Sequence, residues 1–552
     1  MISVSEAIAQ TLAQHVDAFF GLMGNGNAYF VDALERIGQP IIEVRHEVAT
    51  VASADAYYRV SGKLAVATTT YGAGYTNTLT ALAEAAQAGI PMVLVVGDEP
   101  GTGRRPWDVD QRGLAESVGA RFLTVTREDA VRVTGEALTV AWDERVPVVL
   151  SIPYDIPAAT YSGTETPQHE LPAAAPKPSL NEAQAADIAR QLLLADRPLI
   201  LAGRGAKQAR AALRALAAHL GAGVATSAPA RGLFNVEQPS DTFLDLGVCG
   251  GFAAEQAAAE IHSADLVLVV GAGLNQFTRA LGHAFSPQAT LIQVDLKNEA
   301  THDSVTNFYS SDAALAATAI LSHTRRLTNE SHTATLEARR EAASSYSKTN
   351  ELTQRDPGQE VAPDGRLDPR GLMVQLNEAL PRERTVIVDG GHFIGWPNTY
   401  LDLPDADHMV MVGTAFQSIG LGFPSAAGAV IGRPDSLPVL FCGDGGGLMG
   451  IADAETFIRL TQRGVVVVIN DGAYGAEVHQ YVSKGLAERP VLIPDVNFAG
   501  MLEALGARSS IICRHSDLAD FERWLALDED GVFVLDCRVS KDIVAPYMRE
   551  FM

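Results

Sequence analysis

Two carboxylates follow two apolar runs late in the sequence, and both lie beside glycines. The run 438–442 leads into a Gly-Asp-Gly triplet centred on Asp444, and the run 465–470 leads directly into Asp471. Carboxylate oxygens are hard ligands of the kind that Mg²⁺ or Ca²⁺ takes in proteins. The glycines 443–447 let backbone N–H groups approach a phosphate. This pattern predicts a site for a divalent cation and a phosphate group.

The spacing of the two halves favours a single site. Between Gly445 and Asn470 lie 24 residues, which is enough for one crossover helix between neighbouring parallel strands. We predict that this helix contains residues 453–460 and that the glycine run lies at its start. Parallel sheets bind ligands at the carboxyl ends of their strands. The alternative, ordinary turn residues after two strands, fits each half alone but is disfavoured by the two halves together.

These residues resemble the thiamin diphosphate (ThDP) motif of the decarboxylases and synthases related to acetolactate synthase, in which Gly-Asp-Gly is followed by Asn-Asn or Asn-Asp. The resemblance implies that the side chains of Asp444 and Asp471 and the carbonyl of Ala473 bind Mg²⁺, which bridges the diphosphate. Most members of the family have Asn where this chain has Asp471. The carboxylate keeps an oxygen ligand and adds a charge.

Two further segments resemble parts of the same cofactor site. The segment 417–424 is similar to the one that cradles the pyrimidine, and the bulky side chain of Ile419 takes the position that enforces a bend in the cofactor. The segment 388–393 is similar to a turn that touches the diphosphate. The implied cofactor-binding residues are Gly391, His392, Gln417, Ile419, Gly443, Asp444, Gly445, Gly446, Asp471, Ala473, Tyr474 and Gly475.

The resemblance also implies a catalytic glutamate early in the chain. Glu47 follows Arg45 and His46, as in the family's Arg-His-Glu sequence, and the segments 68–77 and 88–97 resemble the turn and strand that come next. A glutamate that hydrogen-bonds N1′ of the pyrimidine keeps it protonated, so that the cofactor's amino group can remove the proton from C2. Without the surrounding matches, such a glutamate would be interpreted as a solvated charge at a helix start.

The resemblance leaves open which reaction follows the first step that the family shares, in which the cofactor adds to a 2-oxo acid and CO₂ leaves. The segment 473–479 resembles the stretch where pyruvate decarboxylases carry a catalytic glutamate, which implies that role for Glu477. We predict that His46 and His479 relay protons near it, because the unperturbed pKa of histidine, about 6.5, suits proton transfer around pH 7. The alternative is that Glu477 starts the next helix and faces solvent. The predicted substrate pocket contains Asn25, Thr70 and Tyr71, besides Glu477 and the two histidines.

We predict non-oxidative decarboxylation of a 2-oxo acid, with carboligation to a second carbonyl as a further outcome. An acetolactate-synthase-type reaction, or cleavage of an acyloin, diketone or 2-hydroxyacyl-CoA, is the alternative. The adjacent histidine pair of pyruvate decarboxylases is missing from 98–111, and the Trp-x-x-x-Phe-Tyr segment of acetolactate synthases is not evident after the motif. The pocket is therefore atypical of both groups.

The elements that must position these residues form three α/β blocks, because apolar runs alternate with Ala-rich helical stretches. We predict three consecutive doubly wound parallel-sheet domains: a pyrimidine-binding domain over 1–163, a Rossmann-like domain over 180–325 and a diphosphate-binding domain over 366–552. Polar stretches at 161–180 and 323–365 are predicted to connect them, the second beginning as a charged helix. The predicted strands are 18–22, 64–69, 91–96, 146–152, 198–202, 266–270, 290–294, 385–389, 438–442, 465–470 and 531–536.

The central block carries two strand-then-glycine turns, at 199–206 and 269–275. Lone Gly-x-Gly turns are weak indicators of a dinucleotide. Related synthases hold FAD in this block, so FAD is possible here, but an empty structural domain is favoured. Because family members form their sites between subunits, the resemblance implies a homodimer or homotetramer with active sites at the interface.

Composition narrows the class of protein. The 552 residues contain 42 basic and 66 acidic side chains, a net charge of −24, which disfavours nucleic acid and anionic membranes as partners. No apolar run approaches the roughly 18 residues that a membrane span needs, and no signal peptide is evident. The sparse cysteines, Cys249, Cys442, Cys513 and Cys537, are interpreted as reduced residues. We predict a cytoplasmic enzyme.

Overall fold

The computed structural model describes residues 1–167, 176–235, 242–347 and 351–551. Within them lie three sheets of six parallel strands each, which together confirm the predicted α/β architecture of three parallel-sheet domains. The sheets span residues 19–153, 198–310 and 384–538. Each lies inside one of the predicted domains, whose limits at 163, 180, 325 and 366 stay a prediction.

In the first domain the strand order is β2-β1-β3-β4-β6-β5. A capping box between Ser3 and Glu6 starts the first helix, and Gly62 ends the third helix in a left-handed conformation that glycine adopts without cost. The strands are β1 Phe19–Gly21, β2 Ile42–Glu43, β3 Ala65–Thr69, β4 Met92–Asp98, β5 Arg121–Thr124 and β6 Pro147–Pro153. The helices are α1 Val4–Ala13, α2 Ala28–Arg36, α3 Glu47–Ser61, α4 Ala73–Thr76, α5 Leu79–Ala88, α6 Gln111–Ser117 and α7 Ala130–Glu144.

In the central domain the order is β12-β11-β10-β7-β8-β9, so the chain moves outward in both directions from the β7–β10 pair. The strands are β7 Pro198–Ala202, β8 Gly223–Thr226, β9 Leu244–Val248, β10 Leu266–Val270, β11 Thr290–Asp295 and β12 Asn307–Ser310. The helices are α8 Glu182–Leu194, α9 Arg210–Leu220, α10 Glu255–His262, α11 Ala313–Leu327 and α12 Glu330–Ser347. The last two cover the predicted charged helix, and α12 is separated from α11 by two residues.

The third domain repeats the topology of the first, with the order β14-β13-β15-β16-β18-β17. The strands are β13 Arg384–Val388, β14 Met409–Val410, β15 Leu437–Gly443, β16 Arg463–Asn470, β17 Arg508–Ile512 and β18 Gly531–Arg538. The helices are α13 Pro369–Ala379, α14 Gly395–Tyr400, α15 Gly422–Gly432, α16 Asp444–Met449, α17 Ala454–Leu460, α18 Gly475–Tyr481, α19 Phe498–Glu503 and α20 Ala519–Ala526.

The first and third domains share one hydrophobic core through the packing of α3 on α15. The hydroxyl of Ser53 donates to the carbonyl of Pro424 over 2.8 Å. A Cβ on Gly428 would lie only 1.8 Å from the carbonyl oxygen of Ser53, so this close approach of two helices requires glycine. The first and third domains therefore pack directly against each other within one chain.

The structure corrects one predicted element. The glycine run is not the entry to the helix that contains 453–460: it forms the short helix α16 of its own, beginning at Asp444. That helix ends before Gly450, where a Cβ would lie 2.9 Å from both the carbonyl oxygen of Gly420 and the ring of Pro424. The chain turns at this tight contact and starts α17 four residues later.

The two predicted connections differ in how much of them is described. Of the stretch 161–180, residues 168–175 lie outside the described residues. The stretch 323–365 ends, as predicted, in turns, with Gly358 and Gly365 at positive φ, although residues 348–350 also lie outside the described part. Among the helices that are described, none is both long enough and apolar enough to cross a membrane.

Candidate cofactor site and its surroundings

The two predicted metal-binding carboxylates meet at one turn, because β15 and β16 are neighbours and both end there. Asp444 accepts hydrogen bonds from the backbone N–H groups of Gly445 and Gly472, both over 2.9 Å. Asp471 accepts one from the N–H of Ala473 over 3.1 Å. Since each carboxylate is oriented by the same backbone turn, their remaining oxygen lone pairs are available at one place.

The electrostatics of this turn fit a cation. Burial raises the pKa of the Asp444 carboxyl, and burial together with the nearby charge of Asp444 raises the pKa of Asp471. A divalent ion would relieve this repulsion between two desolvated carboxylates. In the described residues, no group of three or more His, Cys, Asp or Glu side chains could hold a metal. As predicted ligands, the two carboxylates and the Ala473 carbonyl would leave coordination positions of Mg²⁺ for diphosphate or water oxygens.

The glycines of the motif are also required by packing. A Cβ on Gly445 would lie 2.5 Å from the ring of Tyr474, and one on Gly446 would lie 2.4 Å from a carboxylate oxygen of Asp389. Real Cβ atoms do not make contacts this short. The absence of side chains thus lets α16 lie directly against the walls of the site.

Asp389 is a residue of this site that sequence reasoning missed. Its buried carboxylate accepts hydrogen bonds from the N–H groups of Gly390 over 2.7 Å, Gly420 over 2.9 Å and Leu421 over 3.1 Å. Burial raises its pKa to about 6, although these N–H donors lower it. Asp389 thereby ties the turn after β13 to the loop before α15. Its place immediately after an apolar strand was the signal that could have identified it.

The loop that carries Gln417 and Ile419 is held at both ends. Gln417 has the left-handed φ of +60°, which is uncommon for a residue other than glycine. The Cγ2 atom of Ile419 lies 3.2 Å from the Cβ position of Gly390. At the other end, the carboxylate of Glu84 in the first domain accepts a hydrogen bond from the N–H of Phe416 over 2.7 Å. The conformation of this loop therefore depends on both domains.

Glu84 belongs to a buried ion cluster that the sequence did not reveal. Arg59 donates to Glu84 over 3.0 Å and also pairs with Asp55. All three side chains are at most 2% exposed. A buried charge that loses its partner is left uncompensated, so Glu84 is held next to Arg59. The cluster thereby also fixes the loop at Phe416, which donates to Glu84.

Two predicted histidines lie side by side in the third domain. The rings of His392 and His479 are 4.6 Å apart and inclined by 58°. Burial lowers the pKa of both, that of His392 to about 3. The Nε2 atom of His479 is buried without a hydrogen-bond partner. These imidazoles are therefore neutral, and His479 keeps an unused polar atom.

Glu47 lies at the start of α3 in the first domain and is half-buried. Its carboxylate accepts a hydrogen bond from Asn77 over 3.0 Å. Its Oε1 atom lies 3.4 Å from the place that a Cβ on Gly74 would take. His46 is exposed, and its Nδ1 accepts the N–H of Val48, which caps α3. Among the described residues, the hydrogen bonds of Glu47 stay within its own domain.

The three predicted pocket residues do come together. The Asn25 amide donates to the hydroxyl of Tyr71 over 3.0 Å, and the Gly26 N–H donates to Thr70 over 2.9 Å. Sequence reasoning missed Arg105, whose guanidinium lies 4.3 Å from the ring centre of Tyr71.

Arg105 is fixed on its other sides as well. Its guanidinium lies 4.4 Å from the ring centre of Tyr154 and pairs with the carboxylate of Asp108 over 2.7 Å. Since this carboxylate is only 2% exposed, the loop after β4 is anchored against the rings of Tyr71 and Tyr154. Glu477 lies in the first turn of α18 and is exposed. In a single chain, this agrees with the alternative in which Glu477 starts a helix and faces solvent.

The glycine turns of the central domain contact each other. A Cβ on Gly203 would lie 2.2 Å from the carbonyl oxygen of Gly271, and one on Gly271 would lie 2.5 Å from the carbonyl carbon of Gly205. The N–H of Gly205 donates to the carbonyl of Gly271 over 3.0 Å. These glycines are thus used for close packing of two turns.

Comparison with protein-family models matches all three domains. The N-terminal TPP binding domain of thiamine pyrophosphate enzymes matches residues 2–117, their central domain matches 185–320, and their C-terminal TPP binding domain matches 389–537. Together these matches cover most of the chain.

Curated relatives extend over nearly the whole length. A sulfoacetaldehyde acetyltransferase of Castellaniella defragrans is 27% identical, over 99% of this chain and 94% of its own. The acetolactate synthase isozyme 2 large subunit of Escherichia coli is 26% identical, over 96% and 94%. A probable 2-ketoarginine decarboxylase of Pseudomonas aeruginosa is 27% identical, over 97% and 94%.

A solved structure has the same fold. The thiamine diphosphate-dependent 4-hydroxybenzoylformate decarboxylase of Rhodococcus jostii RHA1 superposes with a TM-score of 0.76 at 22% identity, and the match covers 98% of this chain and 99% of that one. Decarboxylases and synthases thus both occur among the proteins that this chain resembles.

Proposed function

Since the chain belongs to the family of thiamine pyrophosphate enzymes, we propose that it uses ThDP and Mg²⁺ to decarboxylate a 2-oxo acid without oxidation. The observation that carries the proposal is the meeting of Asp444 and Asp471 at one turn beside the glycines of α16. Decarboxylases and an acetolactate synthase stand among its relatives, so a ThDP lyase or transferase fits both groups.

The residues that would hold the cofactor lie on the third domain. Asp444, Asp471 and the carbonyl of Ala473 would bind the cation, and Gly391 and His392 would face the diphosphate. Ile419 would press against the cofactor from the loop anchored by Asp389 and Glu84. When bound, ThDP supplies a carbon nucleophile that adds to a carbonyl and takes up the electron pair released as CO₂ leaves.

Glu47 would act on the pyrimidine half. Its carboxylate, oriented by Asn77, would hold a proton at N1′ of the pyrimidine. In the third domain, Glu477 and His479 lie on the same short helix that follows the metal-binding turn. A carboxyl group there can protonate the reacting carbon and so favour release of an aldehyde. His46 would stand on the opposite side, at the start of α3.

The two halves of the site would meet between subunits, in a homodimer or a tetramer of dimers. Glu47 makes its hydrogen bonds within its own domain, and large apolar side chains are exposed near the strand ends of both domains. They are Met23, Trp107 and Tyr154 in the first and Phe416, Met449 and Tyr481 in the third. A second copy would cover these side chains and also Glu477.

Two further features support this assignment. Three glycines in the turns of the central domain, Gly203, Gly205 and Gly271, pack against the backbone of the opposite turn, which favours a structural domain over one that holds FAD. All four cysteines are free thiols, as expected in the reducing cytoplasm, where we place the enzyme. An acetolactate-synthase-type reaction is the second candidate, favoured by the synthase relative.

The decisive experiment supplies the purified protein with ThDP and Mg²⁺ and a panel of 2-oxo acids: pyruvate, 2-oxobutanoate, benzoylformate and 4-hydroxybenzoylformate. Release of CO₂ and the products would be followed by NMR, with and without an acceptor aldehyde. Aldehyde as the main product supports the proposal, and acetolactate or another acyloin supports the synthase. If no 2-oxo acid releases CO₂ while acyloins are cleaved, the proposed decarboxylation is wrong. The variant Glu47→Gln is the inactive control, and Glu43→Gln, on the exposed end of β2, is its match.

A further inference from the structure

The turn that carries His392 is held by a segment far along the chain. The backbone N–H of Ala545 donates to Nε2 of His392 over 2.9 Å. The hydroxyl of Tyr547 donates to the backbone carbonyls of Gly391 and His392, over 3.2 and 3.1 Å. The segment 545–547 therefore contacts both the side chain and the backbone of this turn.

This segment is itself fixed by packing. Tyr547 is only 5% exposed, and its ring centre lies 4.8 Å from that of Phe252 in the central domain. A Cβ on Gly395 would lie 3.0 Å from both Ala545 and Tyr547. The donor that reaches His392 thus has a defined position before any ligand binds.

The hydrogen bond to Nε2 determines where the imidazole proton lies. A ring nitrogen can accept an N–H only through an unprotonated lone pair, so Nε2 carries no hydrogen. A neutral imidazole has one donor and one acceptor, and therefore Nδ1 is the atom that carries hydrogen. The same contact excludes the doubly protonated ring, in which both nitrogens are donors.

The Nδ1 atom lies beside the turn that carries Asp471, one of the predicted cation ligands. Gly475 is the first residue of α18. A Cβ added to it would lie 3.3 Å from Nδ1 of His392 and 3.0 Å from a carboxylate oxygen of Asp471. A donor at this place suits the oxygen of a diphosphate. An acceptor lone pair at this place would instead repel it.

We propose that Ala545 and Tyr547 are positioning residues that fix His392 as the Nδ1–H tautomer, so that its donor faces the diphosphate of the cofactor. The inference rests on the proposed function for the identity of the ligand, and it goes beyond that function in assigning a role to residues outside both ThDP motifs. Without the Ala545 N–H, the free imidazole would populate both tautomers, and part of the population would present a lone pair to the ligand.

The first test replaces the donor and reads the tautomer directly. In ¹⁵N-histidine-labelled protein without cofactor, two-bond ¹H–¹⁵N NMR distinguishes Nδ1–H from Nε2–H, and His392→Asn identifies the His392 signals. We expect Nδ1–H in the wild type and in Ala545→Gly, which keeps the N–H. In Ala545→Pro, which lacks it, we expect signals of both tautomers. An Nε2–H signal in the wild type, or an unchanged signal in Ala545→Pro, would overturn the inference.

The second test measures the ligand. We expect the Kd for ThDP at saturating Mg²⁺, measured by calorimetry, to rise about tenfold in Ala545→Pro and to stay within twofold in Ala545→Gly, a difference comparable to one hydrogen bond to a charged group. Inorganic pyrophosphate serves as a second probe, and Tyr547→Phe should show a smaller rise. Equal Kd values in all variants would overturn the inference.

A third pair of variants covers the case in which Ala545→Pro does not fold. The amide nitrogen of Asn can replace Nδ1 as a donor, whereas that of Gln reaches the place of Nε2. His392→Asn should therefore bind ThDP more tightly than His392→Gln, and the reverse order would contradict the inference. Failure of the wild type to bind ThDP at all would refute the proposed function, whereas the tautomer spectrum tests the fixed proton without any ligand.

Discussion

The first and third domains have the same strand order but present different chemistry at their strand ends. In the third domain the carboxylates of Asp444 and Asp389 are buried and bound to backbone N–H groups. In the first domain Glu47 is half-buried, and the aromatic pair Tyr71 and Tyr154, which pack edge to face, is partly exposed. In the third domain, the scaffold thus supplies buried carboxylates held by backbone N–H groups, where we propose that a cation and its anion bind. In the first domain, it supplies a more exposed carboxylate, where we propose that a second subunit completes the site. The difference lies in the residues that follow each strand, since the sheets are topologically alike.

The largest expected effect is on the half of the proposed site that lies in the third domain. Replacing Asp444 by Ala removes a charged ligand from a cation that itself neutralises the diphosphate. We expect the affinity for ThDP, measured by calorimetry, to fall by about a hundredfold or more, while the circular dichroism spectrum is unchanged. Excess Mg²⁺ should restore it only in part. Asp495→Ala, an exposed carboxylate near the same turn, is the control, and wild-type affinity in Asp444→Ala would refute the cation site.

The next largest effect concerns Glu47, in the half of the proposed site that lies in the first domain. Glu47→Gln keeps the volume and a hydrogen bond to N1′ but cannot stabilise the protonated pyrimidine. We expect hydrogen–deuterium exchange at C2 of bound ThDP to slow by roughly 10²- to 10⁴-fold, with little change in ThDP affinity. Wild-type exchange in this variant would place the catalytic group elsewhere. Together with Asp444→Ala, it separates binding in one domain from activation in the other.

A third change tests the link between the two domains. Glu84→Ala leaves Arg59 with only one carboxylate partner and frees the N–H of Phe416, so we expect the free energy of unfolding to fall by roughly 3 kcal/mol. Glu84→Gln keeps an acceptor for Phe416 and should retain more cofactor activation, measured by the same exchange at C2. If both variants lose stability but keep wild-type exchange, the cluster does not position the loop with Ile419.

The smallest expected effect is on the products. Glu477→Gln removes an acid that would protonate the reacting carbon, so we expect aldehyde formation to fall about tenfold while substrate binding changes little. With an acceptor aldehyde present, the remaining product should shift toward the acyloin, measured by NMR. Equal loss of both products would indicate a role in CO₂ release, and unchanged products would remove Glu477 from the site. Glu488→Gln, an exposed glutamate paired with Lys541, is the control.

The oligomeric state tests in a different way whether a second subunit completes the half of the site at Glu47. We expect light scattering to show a dimer or tetramer, because Glu47 and Asp444 would meet across subunits. A fully active monomer would contradict this arrangement. Mixing Glu47→Gln with Asp444→Ala chains should restore part of the activity in hybrid dimers, since one of the two sites would then carry both intact residues.

The sequence by itself determined most of the strands that lie inside the sheets, although the inner strand β8 of the central domain was missed. In the first and third domains the predicted strands correspond to the four inner ones, whereas the outer strands β2, β5, β14 and β17 were missed. Inner strands of parallel sheets are buried on both faces and form continuous apolar runs. Outer strands such as β2, with two residues, and β5, with two exposed ends, do not carry that signal.

The sequence also identified the two carboxylates of the proposed cation site, because both follow inner strands and are close along the chain. Only the tertiary structure decided what holds the rest of the site. Asp389, Glu84 and Ala545 act through contacts with residues distant in sequence. The place of Asp389 after an apolar strand marks it as a candidate, but neither spacing nor residue type identifies the partners of these three residues. The short helix that begins at Asp444 likewise ends where Gly450 closely approaches the loop at Gly420. Local patterns follow from burial and backbone geometry, whereas hydrogen bonds between segments depend on how the domains pack.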